Sequence, residues 1–249
     1  MSLDEPLSPT RRREVVRQAG SVGVASGTYG ISFGALAVAA GLDIWQAQVL
    51  SLVMFTGGSQ FAFVGIIAAG GLAAAPAAIA TATMLGIRNG LYGLQTSQLL
   101  RVTGVRRLAA AQLAIDESTA VGIAQPEPPA QRLGFWQTGI AVFVLWNLST
   151  LAGSLLGNAL GDPRALGLDA AAAAAFVALL WPRLKSRDAA ATAVLAIAIA
   201  LLTSPLLPAG VPVILAAAAA LMIGLRHPGR HEEPLEGGDG SLGGADPVP

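Results

Sequence analysis

The feature that most restricts this chain is a run of long apolar stretches joined by short polar loops. They cover about 20–41, 45–70, 73–100, 135–160, 169–182, 189–204 and 209–225. A helix rises 1.5 Å per residue, so crossing roughly 30 Å of hydrocarbon takes about 20 residues. The first four stretches meet that length. The last three are short and punctuated by Pro182, Pro205, Pro208 and Pro212, which predicts tilted or thinned spans. A soluble domain needs a polar coat of about 25% charged residues, and here the share is 12%. The mean hydropathy is +0.62. In lipid, only structures that satisfy every backbone group internally are stable, and with no water to coat, apolar side chains can face outward. The prediction is therefore all-α: a polytopic integral membrane helical bundle of about six or seven membrane segments, some broken or re-entrant. A polar tail (1–14) precedes the membrane domain (15–225), and a Gly-, Pro- and acid-rich tail (226–249) is expected to be disordered.

Composition also removes function classes. The formal net charge is zero, so no basic field draws nucleic acid. The chain has no cysteine, which excludes disulfides, thiol catalysis and thiolate metal sites. Both histidines, His227 and His231, lie in the polar tail. The membrane core thus offers no nucleophile–base pair, no metal site and no cofactor motif, and an enzyme is not expected.

Orientation follows the arginines and lysines of short loops. Arg11, Arg12, Arg13 and Arg17 precede the first stretch, with Glu14 where a twin-arginine signal would carry an apolar residue. A retained first span with a cytoplasmic N-terminus is expected. Arg101, Arg106, Arg107, Arg132, Arg183, Lys185, Arg187, Arg226 and Arg230 should share that side, the C-terminus included. Asp43, and the loop carrying Asp162 and Arg164, suit the outside. Three full crossings would place Arg101, Arg106 and Arg107 outside, against the charge rule. Either one N-terminal segment is re-entrant, or 108–124 forms an extra span; the charge rule favours re-entrance.

Four polar interruptions mark where chemistry could reside. The first is Thr56-Gly57-Gly58-Ser59-Gln60, where paired glycines predict a helix break. Broken helices present free N–H and C=O groups to a ligand; the plainer reading is a glycine contact with a satisfied Gln60. The second is Gly86-Ile87-Arg88-Asn89-Gly90, read as another break. A charge such as Arg88 at the bilayer centre costs about 2.5–3.5 kcal/mol even on insertion scales. It calls for a substrate carboxylate or an acid such as Asp116 or Glu117, unless it snorkels to the interface. The third is Asp116-Glu117-Ser118. Its carboxylates point about 100° apart on a helix, so one of them is a proton carrier if buried, or a cap or loop acid if not. The fourth is Trp146-Asn147, where Asn147 reads as polar glue between helices or a pathway group. Gly23 and Gly27, Gly30 and Gly34, and Gly153, Gly157 and Gly161 recur at i+4, the spacing at which helix backbones pack closely.

Taken in order, six segments resemble the AzlC family, large subunits of two-component branched-chain amino acid exporters. They are GTYGISFGALAVAAGL (27–42), SLVMFTGGSQFAFVG (51–65), MLGIRNGLYGL (84–94), LAIDESTAVG (113–122), FWQTGIAVFVLWNLSTLAGSLLG (135–157) and LGLDAAAAAAFVALL (166–180). The similarity spans roughly 15–225. Gly86, Asn89 and Ile115 depart from residues the family often carries there. The resemblance implies a multi-pass permease of the bacterial plasma (inner) membrane, exporting valine, leucine and isoleucine with a small hydrophobic AzlD-like subunit and driven by protons. The expected substrate site comprises Gly57, Gly58, Ser59, Gln60, Arg88 and Asn89, with Asp116 or Glu117 for proton coupling. Two alternatives stay open: a permease or channel for another small solute, and a scaffold subunit whose partner completes the pathway.

Overall fold

A computed structural model describes residues 6–159, 177, 180, 181, 184–208 and 211–226. Most of the 169–182 stretch, the loop with Asp162 and Arg164, and the tail beyond 226 lie outside these residues. The described residues form helices and no strand. Three helical stretches among them are long and apolar enough to cross a membrane: Pro9–Ala39, Gly58–Leu100 and Pro128–Ala159. They account for part of the expected six or seven segments.

Helix α1 (Pro9–Gly27) opens with Ser8 as cap, its hydroxyl accepting from the Arg11 N–H at 3.2 Å, and proline in its first turn. After Thr28, α2 (Tyr29–Ala39) continues the same rod. Helix α3 (Ile44–Val53) starts at a reciprocal capping box between Asp43 and Gln46. The chain breaks at Met54–Gly57 and resumes as α4 (Gly58–Gly70). A 3₁₀ turn (Gly71–Ala74) leads into α5 (Ala75–Leu100). Two eight-residue helices follow, α6 (Val105–Gln112) and α7 (Asp116–Ile123), and then the 32-residue α8 (Pro128–Ala159). Last come α9 (Arg187–Thr203), capped by Ser186, and α10 (Val211–Arg226), which pack on each other, α10 also touching α5.

The frame is the α1–α2 rod laid parallel on α8, and glycine makes it possible. A Cβ at Gly23 would lie 2.7 Å from that of Ala141, and one at Gly27 2.5 Å from that of Leu145. At Gly30 and Gly34 it would strike the carbonyl oxygens of Trp146 and Thr150, and at Gly153 that of Ile31. Where lipid supplies no hydrophobic drive, such backbone approach is the main source of helix adhesion. The expected glycine spacing therefore does form a contact face, with Gly30 and Gly34 at its centre. Phe33, Phe61 and Trp146 fill the space beside it, with Phe33 and Phe61 rings 5.7 Å apart edge to face.

Contacts at the helix ends fix the path between these long helices. Leu42 packs with the cluster of Ile66, Ile67, Ala74 and Ala78. Had α4 continued straight on from α3, Ile66 would stand roughly 30 Å from Leu42. Instead α3 descends, turns at 54–57, and α4 returns to the end it left. At the other end, Arg132 in the first turn of α8 donates to the Leu99 carbonyl at 3.3 Å. Arg11 reaches Glu127 at 3.3 Å, and Gln125 donates to Gln18 at 3.0 Å. The start of α1, the end of α5, the end of α7 and the start of α8 are thus neighbours. Between them α6 goes inward and α7 comes back, with Leu113 against Gly139 and Val121 against Gly134. Two helical hairpins therefore enter the bundle from opposite ends.

Two expectations are corrected. Residues 86–90 are not a break: α5 runs through them, and neither Gly86 nor Gly90 has positive φ. A helical glycine costs only about 1 kcal/mol relative to alanine, less than the packing on both sides supplies. Nor does 108–124 make one continuous crossing helix, because it is interrupted at Leu113–Ile115.

Candidate functional site

The tips of the two hairpins meet on α5 at Arg88 and Asn89. Arg88 lies near the middle of a 26-residue helix, and its guanidinium turns inward. Its Nη2 donates to the Thr56 carbonyl at 3.2 Å, in the first tip. Its Nη1 pairs with Asp116 Oδ2 at 3.0 Å, in the second. Asn89 Nδ2 donates to the Ala114 carbonyl at 3.1 Å. Gln112 joins the tips directly, donating to the Leu52 carbonyl at 2.8 Å. Two consecutive residues of one unbroken helix thereby hold both breaks.

Each tip carries its own backbone repair. Gly57 has φ +62° and ψ −93°, a conformation that L side chains rarely adopt. Three residues on, Gln60 accepts from the Gly57 N–H at 3.1 Å and donates to the Leu50 carbonyl at 3.4 Å. Gln60 is wholly buried, and by pairing orphaned backbone groups it makes a break tolerable in a dry interior. In the second tip Ser118 does this work. Its hydroxyl accepts from the Ile115 N–H at 3.1 Å and donates to the Leu113 carbonyl.

Several buried polar atoms without a partner lie here, with others at Gln48, Thr81, Thr119, Thr138 and Trp146. The Ser59 and Thr56 hydroxyls, Arg88 Nε and Asn89 Oδ1 all lack one. Native proteins pair more than 90% of buried polar groups, so such a cluster points to a ligand or to water. Glycine keeps the centre open: a Cβ at Gly58 would lie 3.4 Å from Arg88 Nη2, and one at Gly86 4.0 Å from the Ser59 hydroxyl. The Arg88 and Asp116 side chains retain 30% and 23% exposure, so the pair is reachable.

The expected residues thus divide. Gly57, Gly58, Ser59, Gln60, Arg88, Asn89 and Asp116 come together. Glu117, half-buried beside Asp116, is not Arg88's partner. Asn147 sits apart on α8, where it donates to Phe143 O at 2.8 Å and Gln48 Nε2 reaches its side-chain oxygen at 3.4 Å, next to Ser51 on Thr150. It joins α3 to α8, as polar glue does. Gly30 and Gly34 belong to helix packing. Sequence reasoning passed over the Thr56 and Ala114 carbonyls and Gln112, and named Ser118 without giving it a role. A lone amide in an apolar run, and a serine three residues past a break, were the available signals. Among the described residues no group of acids or histidines could hold a metal ion.

Long apolar helices around a centre of helix breaks and a partly buried ion pair are the features of a polytopic membrane protein. The family model described as AzlC protein matches residues 21–160, more than half of the chain, and the chain belongs to that family. No curated protein and no solved structure matches it. The matched region contains both hairpins, α5 and all of α8.

Proposed function

We propose that the chain is the large subunit of an amino acid exporter of the bacterial inner membrane. Its substrates are branched-chain amino acids, and a small hydrophobic AzlD-like subunit works beside it. The observation that carries the reading is Arg88, held between two hairpin tips and surrounded by unpartnered polar atoms. Two hairpins entering from opposite ends suit alternating access, since each tip can open the centre to one side. The N-terminal ends of α4 and α7 lie at this level and favour a carboxylate. In this reading Arg88 takes the substrate carboxylate, while Ser59, Asn89 and the backbone at Gly57 and Gly58 complete the polar contacts. Phe33, Phe61 and Trp146 form the apolar wall for a branched side chain, and Asp116 carries the coupled proton. The Arg-bearing ends of α1, α5 and α8 face the cytoplasm, in keeping with the charge rule.

Whole-cell export tests the proposal. Cells lacking their own exporters are loaded with valine or isoleucine from dipeptides, with this chain expressed alone or beside an AzlD-like small subunit. Efflux should rise with the chain and fall to background with Arg88→Ala. Unchanged efflux in Arg88→Ala and Gln60→Ala would sink it.

A further inference from the structure

We infer that Asp116 is a specificity-determining residue that binds the α-ammonium of the substrate: the zwitterion inserts into the Arg88–Asp116 ion pair, so Asp116 holds substrate or a proton and never both. The inference rests on the amino acid reading and goes beyond it by giving one carboxylate two mutually exclusive occupants.

The argument starts from the charge balance of the pair. Arg88 Nη1 and Asp116 Oδ2 stand 3.0 Å apart, on an unbroken helix and on a hairpin tip respectively. An α-amino acid carries a cation and an anion on one carbon, the reverse image of this pair. Inserted between the two side chains, its carboxylate replaces Asp116 on Arg88 and its ammonium replaces Arg88 on Asp116. No net charge enters the bundle, and neither side chain is left uncompensated, which is what makes single charges there costly. A carboxylate-only ligand on Arg88, or an amine on Asp116, makes only one of the two charge-assisted contacts that the zwitterion makes.

The surroundings allow the pair to open. Arg88 keeps its bond to the Thr56 carbonyl when Asp116 leaves, so it stays in place. The second tip is held by Ser118 and by Asn89 through the Ala114 carbonyl, independently of the Asp116 side chain. The Ser59 hydroxyl and Asn89 Oδ1, both buried and unpartnered, supply further polar contacts beside the opened pair.

Exclusive occupancy follows. A protonated Asp116 has lost the charge that pairs with an ammonium, and an ammonium on Asp116 opposes its protonation, so the two compete for one carboxylate. Among the described residues, the charged groups on the elements packed around it are these. Arg88 comes from α5 and Glu117 from α7 itself. From α8, Arg132 is engaged by Leu99 O. On α1, Arg11 pairs with Glu14 and Glu127 beyond the far end of α7, about 12 Å of helix from Asp116. A proton entering from one side and a substrate from the other would then take turns on the same carboxylate, which is exchange.

The test measures displacement of labelled valine from the full chain in nanodiscs, by 3-methylbutanoate (valine without its amine) and by 2-methylpropylamine (valine without its carboxylate). In the wild type both should displace valine, each at least roughly tenfold more weakly than valine itself, as expected when a charge-assisted bond is lost. Valine itself should bind at least roughly tenfold more weakly to Asp116→Asn, a neutral stand-in for the protonated acid. In Asp116→Asn the amine should lose its effect while the carboxylate still competes. If the amine never displaces valine from the wild type, a result that needs no variant to fold, the inference is wrong while the amino acid reading stands. If valine itself does not bind the wild type, the amino acid reading fails first.

Discussion

Gly34→Ala puts the parallel contact of α2 with α8 to the sharpest test. The added Cβ would strike the Thr150 carbonyl oxygen and lie 2.7 Å from Ser154 N and 2.9 Å from Ser154 Oγ. Ordinary carbon contacts are about 3.5–4.0 Å, so α2 must retreat by roughly 1 Å. The obstacles are mainly backbone and cannot swing aside as a side chain would. Retreat also stretches the 3.4 Å bond from the Ser154 hydroxyl to the Gly34 carbonyl. Overpacking costs typically 1–3 kcal/mol, and the upper half of that range applies when backbone is struck. For a chain of this length about 1 kcal/mol shifts Tm by roughly 2–4 °C, so Gly34→Ala should lower it by roughly 4–12 °C. Gly93→Ala is the control, since nothing lies within 4 Å of a Cβ there. Alanine gains about 1 kcal/mol over glycine in a helix, so that variant should melt at the wild-type temperature or above. The assay is recovery of monodisperse protein from detergent after heating. Equal melting of the two variants would refute the packing argument.

Other outcomes follow from the hairpin tips and the ends of the helices. Gln60→Ala orphans the Gly57 N–H and the Leu50 carbonyl at once, and should cost about 1–3 kcal/mol, read as lower Tm and reduced export. A double-mutant cycle of Arg88→Ala and Asp116→Ala should return a coupling of about 0.5–3 kcal/mol in melting experiments; zero coupling would mean the 3.0 Å pair contributes nothing. The chain has no native cysteine, so single cysteines report sidedness cleanly. Leu72→Cys and Thr103→Cys should label from opposite faces, and Arg12→Cys from the same face as Thr103→Cys. Labelling of 72 and 103 from one face would overturn the hairpin topology.

The residues show why some of this was readable from sequence and some was not. Helix α3 ends and α4 begins around Gly57-Gly58 because paired glycines announce a break whatever surrounds them. The glycine stripe was legible for the same reason: only a missing Cβ permits such approach. The second break was hidden, because Leu113-Ala114-Ile115 is an apolar run that forms helix elsewhere. Ser118 stabilises the interruption through local bonds to Ile115 and Leu113, and Asn89 through a tertiary bond to the Ala114 carbonyl. Gly86 and Gly90 misled in the opposite sense, since their modest helix penalty is outweighed in a long packed helix. The choice of Asp116 over Glu117 depends on which of two diverging carboxylates faces α5, which the linear order does not reveal. Re-entrance, favoured by the arginines at 101, 106 and 107, agrees with where Leu42, Ile66, Leu99 and Arg132 pack.

Valine counterflow in proteoliposomes bears most directly on the transport reading. Vesicles holding the purified chain, with and without an AzlD-like small subunit, are loaded with unlabelled valine and diluted into a trace of labelled valine. The label should accumulate transiently with the wild-type chain, should not be matched by a control solute of similar size lacking the zwitterion, and should vanish with Arg88→Ala. Accumulation that persists undiminished in Arg88→Ala, or a wild-type chain that carries no valine, would contradict a substrate path through the centre where the two hairpins meet.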